Sequence, residues 1–186
     1  MDAISKAFNP QAQPGQIKAI VGFKLGDPAL RQVAKPVTRF NAETMKLIEH
    51  MIETMKEAYG LGLAAPQVGV SKRVTVIDLS FDKDPLQKLV LVNPEVIYRD
   101  GKQFSEEGCL SFPEIKEKVV RAAKVRIRAQ DLHGKWFEMD AEELLSRCMQ
   151  HEIDHLDGML FIFRMSALKR DLNLRKIRKM QLEGKW

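Results

Sequence analysis

Two histidines four residues apart, with a glutamate directly after the first, constrain this chain more than any other feature: His151-Glu152-Ile153-Asp154-His155. On a helix, positions i and i+4 share a face, so both imidazoles point the same way and can hold one ion. Glu152 then lies beside that ion, placed to contact a water on it. A cation that acidifies water and a carboxylate that shuttles the proton are what hydrolysis needs. Two solvated or core histidines give the same pattern, so it takes a third ligand to make a site. The helix itself is well marked. Asp140-Ala141-Glu142-Glu143 reads as a capping box, the helix runs to about Leu156, and Gly158 ends it.

The third ligand is not downstream. One protease pattern continues as HExxHxxGxxH; Gly158 matches its glycine, but Phe161 occupies the ligand position, and the only later glutamate is Glu183. Upstream, Cys109 stands in Glu107-Gly108-Cys109-Leu110-Ser111. A thiolate is a strong donor for a first-row divalent metal, and the preceding glycine permits close backbone approach or an unusual φ where a loop delivers a ligand. Cys148 shares the helix face of the histidines. Its rise to His155 is about 10 Å, however, too long for three ligands on one straight helix to meet. Cys148 is therefore expected to line a pocket or to pack in the core. Asp154 reads either as a support for a ligand histidine or as a solvated helix carboxylate.

The bulk properties fit one globular domain. Of 186 residues, 45% are hydrophobic and 30% charged, and no run approaches the roughly 18–20 apolar residues of a membrane span. No apolar leader and no arginine before Arg31 favour a cytoplasmic or organelle-interior setting over export. Two cysteines, Cys109 and Cys148, suit a reducing compartment. The net charge of +5 is concentrated: residues 164–179 hold seven basic side chains against one acid, net +6, leaving −1 for the rest.

A polar arm with Pro10, Pro14 and Gly15 is expected over residues 1–16, and a single catalytic domain over 17–186. Asn41 caps a helix in which Met45, Ile48, Ile52, Met55 and Tyr59 recur at helical spacing, with Gly60 as its left-handed stop. Strands are expected at 73–79 and 89–92, ended by Asn93-Pro94, then at 119–130 and 135–139 around a His133-Gly134 turn. Ser166 caps a basic helix to about Met180. The fold class is α+β: small mixed or antiparallel strands around a central metal-binding helix, with a C-terminal helix.

Three segments now stand together: GLGLAAPQ (Gly60 to Gln67), EGCLS (Glu107 to Ser111) and QHEIDHLDG (Gln150 to Gly158). In this order and spacing the chain resembles the peptide deformylases. The resemblance implies removal of the formyl group from N-terminal formyl-methionine of nascent chains, releasing formate. It implies one divalent metal, Fe(II) natively with Ni, Co or Zn able to substitute, on Cys109, His151 and His155. Water on the metal would attack the formyl carbonyl, with Glu152 as general acid and base. Gln67 and the Leu110 backbone N–H would stabilise the growing oxyanion.

Substrate contacts are implied for Gly60, Leu61, Gly62, Glu107, Gly108, Arg147 (through its stem) and Cys148, lining an apolar methionine pocket. Gly62 reads as a place where a substrate backbone pairs with a strand edge. The basic C-terminal helix is either a solvated face or, as in this family, a ribosome contact. No membrane and no sequence-specific nucleic-acid partner is expected. Two other functions compete: a zinc endopeptidase, and a catalytically silent ribosome binder.

Overall fold

The chain is described here by a computed structural model covering residues 26–80 and 88–184. The arm expected over residues 1–16 lies outside these. Among the described residues, β1 (Gly62–Ala64), β2 (Val74–Asp78), β3 (Lys88–Asp100), β6 (Lys124–Gln130) and β7 (Trp136–Glu142) form one sheet in the order β1-β2-β3-β6-β7. β4 (Gln103–Cys109) and β5 (Phe112–Arg121) form a separate hairpin. All these strand pairs are antiparallel. Three helices accompany them: α1 (Ala42–Glu57), α2 (Glu143–Leu156) and α3 (Ala167–Leu182). The fold is α+β as expected, with α2 at its centre, where every residue from Cys148 to Leu156 is buried.

Asn41 caps α1, its Oδ1 accepting the Thr44 N–H at 3.1 Å. The buried stripe runs through Leu47, Ile48, Met51 and Met55, which pack with Leu63, Val74, Val76 and Val92. It is rotated from the expected stripe, so Met45 and Ile52 are only partly buried and Tyr59 is exposed. Tyr59, not Gly60, takes the left-handed backbone after the helix, at φ +53°.

Three other boundaries differ from expectation. Asn93-Pro94 does not end β3; Asn93 takes φ +52° within it, and the register shifts between Val92 and Glu95. The Asn93 side chain holds that bulge, accepting from Val37 N–H and donating to Val37 O and Gln130 Oε1. The single strand expected over 119–130 is broken at 122–123 into β5 and β6, which lie in different sheets. Gln150 of α2 accepts the Ala122 N–H at 3.1 Å and donates to its carbonyl at 3.0 Å. Ser146 and Gln103 also donate to that carbonyl, so the corner bonds to side chains rather than to a ladder. Finally, Asp140 does not cap α2. The β6–β7 register sets it opposite Arg126, whose guanidinium donates to it at 2.7 and 3.0 Å, and Glu142 takes the cap position without a side-chain bond.

Ser166 caps α3 as expected, and the helix continues to Leu182. Ile177 anchors it in a cluster with Phe112, Ile115, Val119 and Phe161, and burial of one such side chain contributes about 1.5–3 kcal/mol. Glu117 of β5 clasps the same helix, accepting from Lys169 at 2.8 Å and Asn173 at 3.1 Å. No described helix is long and apolar enough to cross a membrane.

Candidate active site

α2 presents His151, Glu152 and His155 to the interior, all buried. Cys109 faces them from the last position of β4, where the chain turns tightly to pair Cys109 with Phe112. The ligand atoms of Cys109, His151 and His155 lie within 4.8 Å of one another, and Cys109 Sγ is 3.2 Å from His155 Nε2. A strand end, rather than a loop, therefore delivers the thiolate. Gly108 has ordinary backbone geometry and is exposed; an added Cβ would meet Lys116 Cγ at an easy 3.6 Å. Phe161, at the position where the protease pattern has its third ligand, stacks against His151 with centroids 5.9 Å apart. Both cysteines are free thiols.

Behind the histidines stands a chain of charges. Glu107 Oε2 lies 3.0 Å from His151 Nδ1 and also accepts from Arg121, which binds both Glu107 oxygens at 2.8 and 2.9 Å. Arg121 donates its remaining Nη to Asp154, and Arg164 closes the row with bonds to Asp154 at 2.6 and 3.1 Å. Glu107 and Arg121 are almost fully buried. Burial alone would raise the Glu107 pKa, but the bonds from Arg121 and His151 outweigh it and hold the carboxyl at about 2. Glu107, expected at the substrate, instead braces a histidine. Asp154 is neither solvated nor bonded to a ligand ring; it holds the arginine that holds Glu107.

Gln67 sits in the 3₁₀ turn Ala65–Val68, buried, with Oε1 accepting the Ala64 N–H at 2.8 Å. Its Nε2 points at Cys109 Sγ (3.7 Å) and Ser111 Oγ (3.3 Å), so the glutamine is aimed at the cluster. Gly62 lies against Glu152: a Cβ there would fall 2.5 Å from Oε1. Gly60 approaches Leu110, whose Cδ1 would be 2.9 Å from an added Cβ. Cys148 is buried and donates weakly to Leu61 O at 3.7 Å, which places both beside the site. Burial drives its thiol pKa well up, which keeps it protonated and unreactive. Arg147 is half-buried on α2, one turn ahead of His151.

Two buried polar atoms in this region have no hydrogen-bond partner, Glu152 Oε2 and His155 Nδ1. Burial lifts the Glu152 pKa to about 7 despite the charge of His151. Burial and then His151 push the His155 pKa well below the usual imidazole range, while bonds to Cys109 and Glu107 outweigh burial and push that of His151 well above it. One thiol, two imidazoles and an unpartnered carboxylate oxygen within one dry cluster fit a divalent cation with a fourth position open.

Arg121, Arg164, Ser111 and the corner-gripping Gln150 carry no role in the sequence reading. The β4 segment QFSEEGC turns its polar positions inward and Phe104 outward, so the alternation that marks a half-buried strand is inverted there. With the hairpin unread, nothing paired Glu107 with Arg121.

A buried carboxylate beside two imidazoles of a helix and a thiol from a strand end is a set of groups that suits a hydrolase. The family model for polypeptide deformylase matches residues 18–171. A peptide deformylase of Acidobacterium capsulatum is 67% identical over 163 residues, covering 88% of this chain and 96% of that protein. The crystal structure of a peptide deformylase from Legionella pneumophila superposes with a TM-score of 0.81 at 47% identity, covering 88% of this chain and 96% of that one. That of Synechococcus elongatus, in complex with actinonin, gives 0.79 at 42%, with 83% and 85% covered. The chain belongs to the polypeptide deformylase family.

Proposed function

We propose that this chain removes the N-formyl group from the N-terminal formyl-methionine of nascent polypeptides, in the cytoplasm or an organelle interior, releasing formate. The observation that carries the reading is the convergence of Cys109, His151 and His155 within 4.8 Å beside a Glu152 oxygen with no other partner. Those three side chains would hold one divalent cation, Fe(II) in the native protein, with Ni, Co or Zn as substitutes. When bound, such a cation supplies Lewis-acid polarisation of the formyl oxygen and lowers the pKa of water.

The protein's own groups do the rest. Glu152 takes a proton from the attacking water as its oxygen bonds to the formyl carbon, then delivers it to the amine nitrogen as the C–N bond breaks. A buried carboxyl, whose charged form desolvation disfavours, is suited to taking up the proton and passing it on. Gln67 Nε2, held to Cys109 and Ser111 only by long contacts, turns a proton to the formyl oxygen as charge grows there, with the Leu110 N–H alongside. Glu107 fixes the His151 ring.

Among the described residues β1 lies at the edge of its sheet with Gly62 at its start, and an extended substrate could pair along it. Leu61, Cys148 and the Arg147 stem would wall the methionine side chain, with Gly60 and Gly108 leaving room for the substrate backbone. The exposed Arg175, Lys176, Arg178 and Lys179 of α3 would meet an rRNA-rich ribosome surface.

The deciding assay offers formyl-Met peptides and their unformylated counterparts. Formate release from the first alone supports the reading; cleavage of internal bonds in either peptide supports an endopeptidase instead. Charge reversal at the four α3 residues should weaken ribosome binding, most at low salt. Unchanged binding would remove that contact.

A further inference from the structure

We propose that Arg164, which lies outside the three motif segments, is a positioning residue for His151. The inference rests on the reading of Cys109, His151 and His155 as cation ligands. Arg164 follows the 3₁₀ turn Phe161–Arg164 and reaches back to α2, where it forks onto Asp154: Nη2 to Oδ1 at 2.6 Å and Nε to Oδ2 at 3.1 Å. Asp154 Oδ2 also receives Arg121, whose other nitrogens grip both oxygens of Glu107, and Glu107 Oε2 meets His151 Nδ1. Four links thus join a surface guanidinium to a buried imidazole.

The outer end of this row is its most exposed part. The Arg164 side chain is 45% exposed, against 10% for Asp154 and 3% for Arg121. Glu107 and Asp154 carry two negative charges against the one positive charge of Arg121, and Arg164 supplies the second guanidinium. Without it, Asp154 Oδ1 loses its bond and a buried carboxylate is left with half its compensation. Asp154 is then free to rotate, Arg121 is held at one end only, and Glu107 no longer fixes the ring plane of His151. A planar fork is needed, so lysine at 164 replaces the charge but not the geometry.

The test is cation affinity, measured anaerobically by chelator competition with Co(II), whose thiolate absorption band reports Cys109 ligation. Outer partners of ligand histidines typically change metal affinity 10–100-fold. Arg164→Gln should weaken Co(II) binding about tenfold, at the low end because it acts through three intermediates. Arg164→Lys should fall between it and the wild type. In a Glu107→Gln background Arg164→Gln should have no further effect, because the route to His151 is already cut.

Melting curves of the apo-proteins establish that the variants fold; if Arg164→Gln does not, the lysine variant in both backgrounds carries the comparison. Wild-type affinity in Arg164→Gln, or an equal loss in both backgrounds, overturns the proposal. A wild-type protein that binds Co(II) without the thiolate band overturns the cation reading itself, and this inference with it.

Discussion

Gly62 and Glu152 are in contact across the site so closely that a Cβ on residue 62 would lie 2.5 Å from the carboxylate Oε1 and 2.9 Å from its Cδ. The absence of a side chain at 62 is therefore what lets the Glu152 carboxylate stand where it does. Gly62→Ala should push Glu152 off its position while leaving Cys109, His151 and His155 in place. Displacing a general base by about 1 Å can cost on the order of 10²-fold. The expected result is a kcat reduced by roughly that factor with full metal content. Wild-type kcat would show that Glu152 has slack the structure does not indicate.

Gln67 is built into the fold at one end and free to act at the other. Its Oε1 caps the buried Ala64 N–H, while Nε2 faces the cluster. Gln67→Glu keeps an acceptor for Ala64 and deletes the donor. It should lower kcat by about 10²–10³, the usual cost of one oxyanion donor. A large loss of stability with unaltered kcat would make Gln67 purely structural.

Arg121 joins Glu107 and Asp154, and all three are buried. Arg121→Met removes the shared cation and leaves two carboxylates facing each other in a dry environment, and breaking such a pair costs about 3–5 kcal/mol. Urea unfolding of the apo-protein should register a loss of that size. A loss below about 1 kcal/mol would mean water reaches the row and screens it.

The pH dependence of α3 docking follows from Glu117. Lys169 and then Asn173 donate to its carboxylate and lower its pKa below the ordinary 4.5. Because the folded pKa is depressed, the added stability is fully present above 4.5 and is lost as pH falls through the folded value. Protection factors of α3 amides, corrected for the intrinsic exchange rate at each pH, should therefore fall on acidification below 4.5, and Glu117→Gln should remove most of that acid-dependent change. Acid-insensitive protection in the wild type would contradict it.

The parts legible in the sequence were those whose signal is local. Asn41 and Ser166 cap their helices by bonding three residues ahead, and i, i+4 spacing alone aligns His151 with His155. Cys109 followed from elimination, because neither downstream pattern supplies a third donor and Cys148 lies too far along the helix from His155. What was lost needed partners far along the chain. Asp140 reads as a cap until β6 offers it Arg126, and 119–130 reads as one strand until Gln150 takes both bonding groups of Ala122. Asp154 and Glu107 look independent because Arg121, which couples them, lies in a hairpin whose inward face is polar.

The most direct test of the account measures formate release from a formyl-Met peptide and metal content on the same anaerobically purified samples of wild type and Glu152→Ala. The account predicts one cation per chain in both, rapid formate release by the wild type, and almost none by Glu152→Ala. Substantial turnover by a fully metal-loaded Glu152→Ala protein would contradict it.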